Sequence, residues 1–527
     1  MKKRYILSCL LAAAMSITSC TKNFEEINTN PDKTTGEFID PYLFIPQAQI
    51  TFSQTGYDQL LFQAGWMQSL ASTFNYYNNG DKYVLASAGT GYYTYTWNRA
   101  YQAYTLMYEM GQLVKDKPAN TNLDAAGKIM RVMIIQRLTD LYGDVPYTEA
   151  GQAKTGNFTP KFDKQQDIYT DMLKQLDAAT AALDPAKDKL TADLFYKGDI
   201  SQWKKLGYSL MLKVGMRLTK VAPDLAKQYA EKAYAGGTMS SVADDAKVYA
   251  DRNNAASSNS DVIRTPDDFR ELRWGKTLID YMKSTNDPRI SAIAEIAAGN
   301  GLAANQNQTA GNNAANVQMG LPNGYTISSV VNAPGYPGAT PADPAVKDDS
   351  PAPLGKYSRP RFDVYADKGS ANYIYTYGES ELLLAEASTR GWNTGVAATH
   401  WNNALAADMR SLINYNTTPI AVVSDADINT FVSTHPLNPA TALAQINTEY
   451  WVATSTLFNF NETFSNWRRS GFPVLTPVTF PGQYITGQLP RRMPYPTTLI
   501  SQNGANYNAA VQSQGADNFA TRVWWDK

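Results

Sequence analysis

Cysteine is almost missing from this chain: of 527 residues, only Cys9 and Cys20 carry a thiol. Everything beyond position 20 must therefore be held by packing and not by disulfides. Histidine is equally scarce, and His400 and His435, with no thiol near them, make no metal-ligand spacing. An excess of one charge is missing as well, since 47 Lys and Arg stand against 48 Asp and Glu, a net charge of -1. A protein that grips phosphates would carry positive excess, so nucleic acid is not an expected partner. Nor does the chain contain a G-x-S-x-G elbow, an H-E-x-x-H helix or a P-loop, which removes the recognisable nucleophile, zinc and phosphate chemistries. The expectation is a chain with no catalytic residues, no metal and no cofactor.

Long apolar runs are absent after the first two dozen residues. Lys2, Lys3 and Arg4 precede a mostly apolar run from position 5 to 17, closed by Ile17-Thr18-Ser19-Cys20. That run is shorter than the ~20 residues a spanning helix needs and reads as a secretory signal. It resembles a bacterial lipoprotein signal, with Ile17 where Leu is commonest. The resemblance implies that residues 1–19 are removed and that Cys20 is acylated. Two or three acyl chains, at ~0.8 kcal/mol per buried CH₂, would anchor the chain stably. Residues 20–35 are polar, lack apolar periodicity and read as a tether.

The rest is read as one unit, 36–527, whose apolar residues recur mainly at three and four. One pattern covers 41–72, with Leu60, Leu61, Trp66 and Met67 as core candidates. Further helices are expected over 128–142, 167–183 and from Asp199 onward, where Asp199 can cap and Gln202 follows three residues later. Pro223 opens another and Gly236-Gly237 closes it. Such helical hairpins suit tetratricopeptide-like stacking, although no clean 34-residue period is present. A long insertion at about 299–356, rich in Gly, Asn, Ala and Pro, reads as a functional loop or a disordered insert. From Pro473 onward, Pro, Gly and aromatics alternate, and this part is expected to wrap the surface.

What the chain has in abundance is tyrosine, 33 residues, with 10 tryptophans. Phe74, Tyr76, Tyr77, Tyr83, Tyr92, Tyr93 and Tyr95 lie among Asn78-Asn79-Gly80-Asp81 and Gly89-Thr90-Gly91, and turn formers between rings argue for loops that display aromatics. Those rings either meet a ligand or pin their own loops. Trp97, Tyr101, Tyr104 and Tyr108 follow at four, three and four, a single helical face that favours core packing. Glu379 and Glu386 are the tempting carboxylate pair. Seven residues of helix set their backbones roughly 10 Å apart, too far for glycosidase work unless the side chains converge, and Arg390 is a better partner for Glu386.

Several motifs resemble the SusD/RagB nutrient-binding lipoproteins in type and order. They are Asp140-Leu141-Tyr142-Gly143-Asp144, Trp203 through Met216-Arg217-Leu218, Asn286-Asp287-Pro288-Arg289, Glu379 with Leu383 through Ala387, Trp467-Arg468-Arg469-Ser470-Gly471, Arg491-Arg492 with Tyr495-Pro496, and the terminal Trp524-Trp525-Asp526-Lys527. The physical reading of these motifs is structural: Asp287-Pro288-Arg289 places a turn, Arg468-Arg469 meets carboxylates or helix ends, and Gly391 ends a helix. The resemblance implies a mainly α fold, with tetratricopeptide-like hairpins supporting an irregular, loop-rich ligand-binding face. It further implies a lipid-anchored seat on the outer-membrane surface, a SusC-like TonB-dependent barrel transporter as partner, and a glycan or oligopeptide ligand. On that expectation the contacts are Tyr76, Tyr77, Tyr92, Tyr93, Asn323, Tyr325 and Tyr336. A glycan-degrading enzyme and a scaffold or adhesin without a small ligand remain the alternatives.

Overall fold

The stretch 41–72 is not one helix. In the computed structural model, helix α1 (Phe44–Ser53) is followed by a short α2 (Gly56–Leu61), a turn at Gln63–Trp66 and strand β1 (Leu70–Ser72). Close packing divides it. Gly65 lies against the backbone of Gly80, where a Cβ would come within 2.5 Å, and Gln68 redirects the chain at a φ of 53°. Only a residue without a side chain permits the first contact.

The structure describes residues 39–74, 77–85, 92, 94–250, 258–264, 272–297, 310–338 and 356–527. The expected signal, tether and Cys20, together with Tyr76 and Tyr93, lie outside them. Helix α3 (Tyr95–Val114) packs on α1 and on α4 (Thr121–Tyr142). Helices α5 (Gln165–Ala182), α6 (Ile200–Met216) and α7 (Pro223–Gly236) each pack on the one before. This is the expected succession of hairpins. Asp199 caps α6 by accepting from the backbone N–H groups of Ser201 and Gln202, and Gly237, at a φ of 93°, follows α7.

Short antiparallel ribbons join the helical layers. Strand β2 (Val145–Pro146) pairs with β3 (Phe162–Asp163), β4 (Ala246–Tyr249) lies downstream, and β5 (Leu272–Trp274) pairs with β1, Leu70 opposite Trp274. Strand β6 (Ala294–Glu295) pairs with β7 (Arg359–Pro360), and β4 pairs with β8 (Ala371–Tyr375). A second helical group follows: α8 (Tyr377–Thr389), α9 (Ala397–Ile413), α10 (Ala442–Thr456) and α11 (Phe460–Ser470). Helix α8 packs on α6, α9 and α10, and its start is held by a capping box between Thr376 and Glu379. The segment after Pro473 does more than wrap the surface, because Leu489, Met493, Tyr495 and Trp525 are buried in the main core. Its last helix is α12 (Gly504–Gln514).

The buried polar residues explain why these helices meet as they do. Arg217, at the end of α6, donates to both carboxylate oxygens of Glu462 on α11 at 2.6 and 2.7 Å and to Asp140 on α4 at 3.1 Å. Lys213 reaches Glu379 on α8 at 3.2 Å and Glu462 at 3.0 Å, while Tyr450 on α10 donates to both glutamates. Trp525 donates to Asp140 at 3.0 Å. Burial opposes charging Glu462, yet Arg217 and Lys213 outweigh it and hold its carboxyl at about 2. A void of about 30 Å³ beside this cluster has room for little more than a water. Nothing the size of a substrate reaches these carboxylates.

A second cluster fixes the end of α8. Glu386 accepts from Arg390 at 2.8 Å, as the i,i+4 spacing implied, and from both terminal nitrogens of Arg469 on α11 at 2.7 and 2.6 Å. Burial works against its ionisation, but the two guanidiniums hold its carboxyl down at about 2. Arg469→Ala leaves that carboxylate buried with one partner fewer and should cost ~3 to 5 kcal/mol in denaturant melts. Because the folded pKa lies below the ordinary glutamate value, the stabilisation is complete above about 4.5 and is lost as pH falls toward 2. It amounts to roughly 3 kcal/mol. Thermal melts across that window should show Glu386→Gln, destabilised throughout, losing less stability with acid than the parent.

Candidate functional site

Strand β1 and its partner β5 form the floor on which the second long loop settles. Residues 310–338 return to this ribbon: Leu321 donates its N–H to the Trp274 carbonyl at 2.9 Å, and Lys276 donates back to Leu321 at 2.8 Å. Ala71, Leu321, Val330, Ala333 and Tyr357 make a small apolar cluster there, and Tyr325 and Tyr336 pack half-buried against it. Phe74, Ile327 and Val331 stand exposed on the same two segments. Tyr325 and Tyr336 are thus brought to the β1–β5 ribbon.

Asn323 acts as the clasp. Its amide donates to the Leu70 carbonyl at 2.8 Å and to Asp81 at 2.6 Å. Asp81 is buried beside Lys82, 2.5 Å away, and Lys82 also donates to the Ser72 carbonyl at 2.7 Å. Burial pushes the Asp81 carboxyl up, against the pull of Lys82 and Asn323. With both amide protons used on the protein, Asn323 can offer a ligand only its carbonyl oxygen.

Two of the other expected rings stand elsewhere. Tyr77 is 3 % exposed and enclosed in the main core, so it presents no face to a ligand. The turn Asn78–Asp81 that follows it packs under the Gln63–Trp66 turn and carries the ring inward. Tyr92 belongs to a three-ring stack, 5.3 Å from Tyr57 and 5.7 Å from Tyr95, at the start of α3. Tyr76 and Tyr93 lie outside the described residues.

The stripe on α3 divides between two environments. Trp97 and Tyr104 are buried, and Trp97 makes edge contacts with Tyr142 and Tyr495 at 5.0 and 5.8 Å. Tyr101 is only partly covered, donates to the Pro146 carbonyl at 2.7 Å, and lines a cleft of about 840 Å³ between α1, α3, the 146–160 loop and residues 499–503. Sequence reasoning missed this cleft. Its signal was present in Gly156-Asn157-Phe158-Thr159-Pro160, a turn with a ring in the middle, and in the polar residues Asn98 and Gln102 beside the stripe.

Among the described residues no group of three or more His, Cys, Asp or Glu is placed to hold a metal, and no helix is long and apolar enough to cross a membrane. Sequence comparison matches residues 32–496 to the SusD-like family described as "Starch-binding associating with outer membrane". The chain belongs to the SusD-like family. Comparison with curated proteins gives no match. A solved structure described as a chitin-binding protein is 30 % identical, with a TM-score of 0.78 over 93 % of this chain and all of that one. A chitin-binding SusD homologue from Flavobacterium johnsoniae is 22 % identical, with a TM-score of 0.70 over 92 % of this chain and 97 % of its own. A SusD-like protein from Bacteroides thetaiotaomicron is 24 % identical at a TM-score of 0.68, covering 92 % of this chain and 99 % of its own. Likeness at these last two identities speaks to the fold alone. It confirms the mainly α SusD-like architecture.

Within this SusD-like chain, core and clasp residues should separate by experiment. Tyr77→Ala empties a buried aromatic site and should lower stability by ~3 to 5 kcal/mol. Asn323→Ala takes one donor from the Leu70 carbonyl and one from Asp81, which keeps Lys82, and should cost ~1 to 3 kcal/mol. It should also speed proteolytic cutting within 318–338. Denaturant melts and limited proteolysis check both, and an Asn323→Ala chain cut no faster than the parent would remove its role as clasp.

Proposed function

We propose that this SusD-like chain is a surface-exposed binding lipoprotein, anchored through Cys20, that captures a glycan and passes it to a SusC-like TonB-dependent transporter. One observation carries the ligand class: the relative described as chitin-binding is 30 % identical over 93 % of the chain, within a family described as starch-binding. The loop face at β1 suits such a ligand. Half-buried Tyr325 and Tyr336 suit sugar C–H surfaces through their flat apolar rings, and a phenol hydroxyl both donates and accepts as sugar hydroxyls require. Tyr92 extends the same chemistry at the start of α3, and Tyr76 and Tyr93 are proposed with it on sequence grounds. A protein of this kind binds without turnover, consistent with Glu386 and Glu462, whose buried carboxylates are committed to arginine and lysine.

Calorimetric titration against a neutral glycan and peptide panel tests the site. Tyr92→Ala, Tyr325→Ala and Tyr336→Ala should each weaken glycan binding by ~1 to 2 kcal/mol, roughly five- to thirtyfold, with thermal midpoints near the parent's. Parental affinity in both the Tyr325→Ala and Tyr336→Ala variants would rule out the loop face, and parental affinity in Tyr92→Ala would remove Tyr92 from the site. Released sugar from any candidate polymer would replace capture with catalysis. Acyl labelling should disappear in Cys20→Ala, and gentle detergent extraction of the parent should co-purify a large barrel protein in fixed ratio.

A further inference from the structure

We propose that the cleft beside α3 is a second carbohydrate-binding site, separate from the loop face and shaped for a stretch of neutral oligosaccharide. Its volume of about 840 Å³ falls within the ~300 to 1,000 Å³ usual for ligand sites. None of its lining residues belongs to the Tyr325 and Tyr336 cluster.

The walls carry the argument. Along α3, Tyr95, Asn98, Gln102 and Thr105 are exposed at intervals of three, four and three, one helical face. The last three of these line the cleft, with Tyr101 and Pro146 beside them. On the opposite side stands Phe158, 75 % exposed, a large ring that the protein leaves in water. Its backbone is held on both flanks. Asn157 donates its backbone N–H to the Gln152 carbonyl at 3.3 Å, Asn503 donates to the Pro160 carbonyl at 2.8 Å, and Asn506 donates to the Thr159 carbonyl at 2.8 Å. A ring carried on a fixed ledge gives up little backbone freedom when something stacks on it.

Charge narrows the ligand. Glu149 is the single charged side chain of the lining, and it is already engaged by the Lys161 backbone N–H at 2.9 Å and the Lys161 ammonium at 3.4 Å. Exposed Asn98, Gln102 and Gln502 supply carboxamides instead, while Gln152, Asn157 and Asn503 are bonded to Thr148, Glu149 and Pro160 and shape the wall. Carboxamides both donate and accept, the pairing that sugar hydroxyls require, while the ring faces take sugar C–H surfaces. An anion would find no free cation here, and a purely apolar ligand would bury amides without partners. With a second site on one polymer, the two act together and retention rises above either alone.

The experiment uses the mature chain, with retention on starch, chitin, xylan and mannan affinity gels. Phe158→Ala and the double variant Asn98→Ala, Gln102→Ala alter exposed side chains and should keep the parental thermal midpoint. Each should weaken retention on the best-bound polymer at least threefold, both alone and in a Tyr325→Ala, Tyr336→Ala background. Phe158→Trp keeps a stacking face and should retain parental binding. Parental retention in the Phe158→Ala and double variants overturns the second site, and leaves the loop face standing if the tyrosine variants lose binding. Unchanged retention with loss of the co-purifying barrel protein also overturns it, assigning the cleft to a protein contact. A parent held by none of the neutral polymers overturns both sites.

Discussion

Arg217 is the point on which the scaffold turns. Removing a guanidinium from water costs several kcal/mol, and here that cost is offset only because Glu462, Asp140 and the neighbouring Lys213 and Glu379 close around it in one geometry. Burial would lower the Arg217 pKa, but those carboxylates raise it well above the ordinary value. The partners come from α4, α6, α8 and α11, so helices from both halves of the chain share one set of charges. Apolar surface alone would let such helices slide past one another. A network that is costly when partly made admits one arrangement.

The same device recurs at each place where a distant segment must lock. Arg289 pairs with Asp287 at 2.6 Å and with Glu449 on α10 at 2.7 Å, and Arg359 pairs with Glu295 at 2.7 Å across the β6–β7 ribbon. Arg468 donates to the Arg491 carbonyl at 2.9 Å, and Arg492 meets Asp517 at 2.7 Å, holding the C-terminal segment in place. The planar fork of arginine suits these sites better than lysine, because it satisfies two or three acceptors from one rigid group. The consequence is functional. With the helices immobilised, the loops at β1 and the ledge at Phe158 can leave large rings partly in water without loosening the core.

Local features were legible in the sequence, and long-range ones were not. The cap at Asp199, the Glu386–Arg390 pair and the Gly391 stop follow from spacing within one helix, and each is observed. The SusD-like motifs were rightly read as structural, but spacing gives no hint that Arg469 meets Glu386 across 83 positions. The 41–72 pattern misled because Leu60, Leu61 and Trp66 are buried in short separate turns, where burial on all sides leaves no single face for periodicity to report. Tyr77 misled for the complementary reason. Turn residues beside a ring show that the chain bends, and they do not show which way the ring points. The α3 stripe was half right, since Trp97 and Tyr104 are buried while half-buried Tyr101 borders the cleft, whose lining Trp97 also joins.

A rigid, charge-locked helical scaffold of this kind should hold its proposed glycan on ring-bearing surfaces without rearranging. Hydrogen–deuterium exchange on the mature chain, with and without its best-bound oligosaccharide, tests it most directly. The amides of α4, α6, α8 and α11 should exchange slowest and identically in both states, and added protection should appear only around 318–338, at 95–106 and in the 146–160 loop. Ligand-dependent protection spread through the helices that carry Arg217, Asp140, Glu379 and Glu462 would contradict the account.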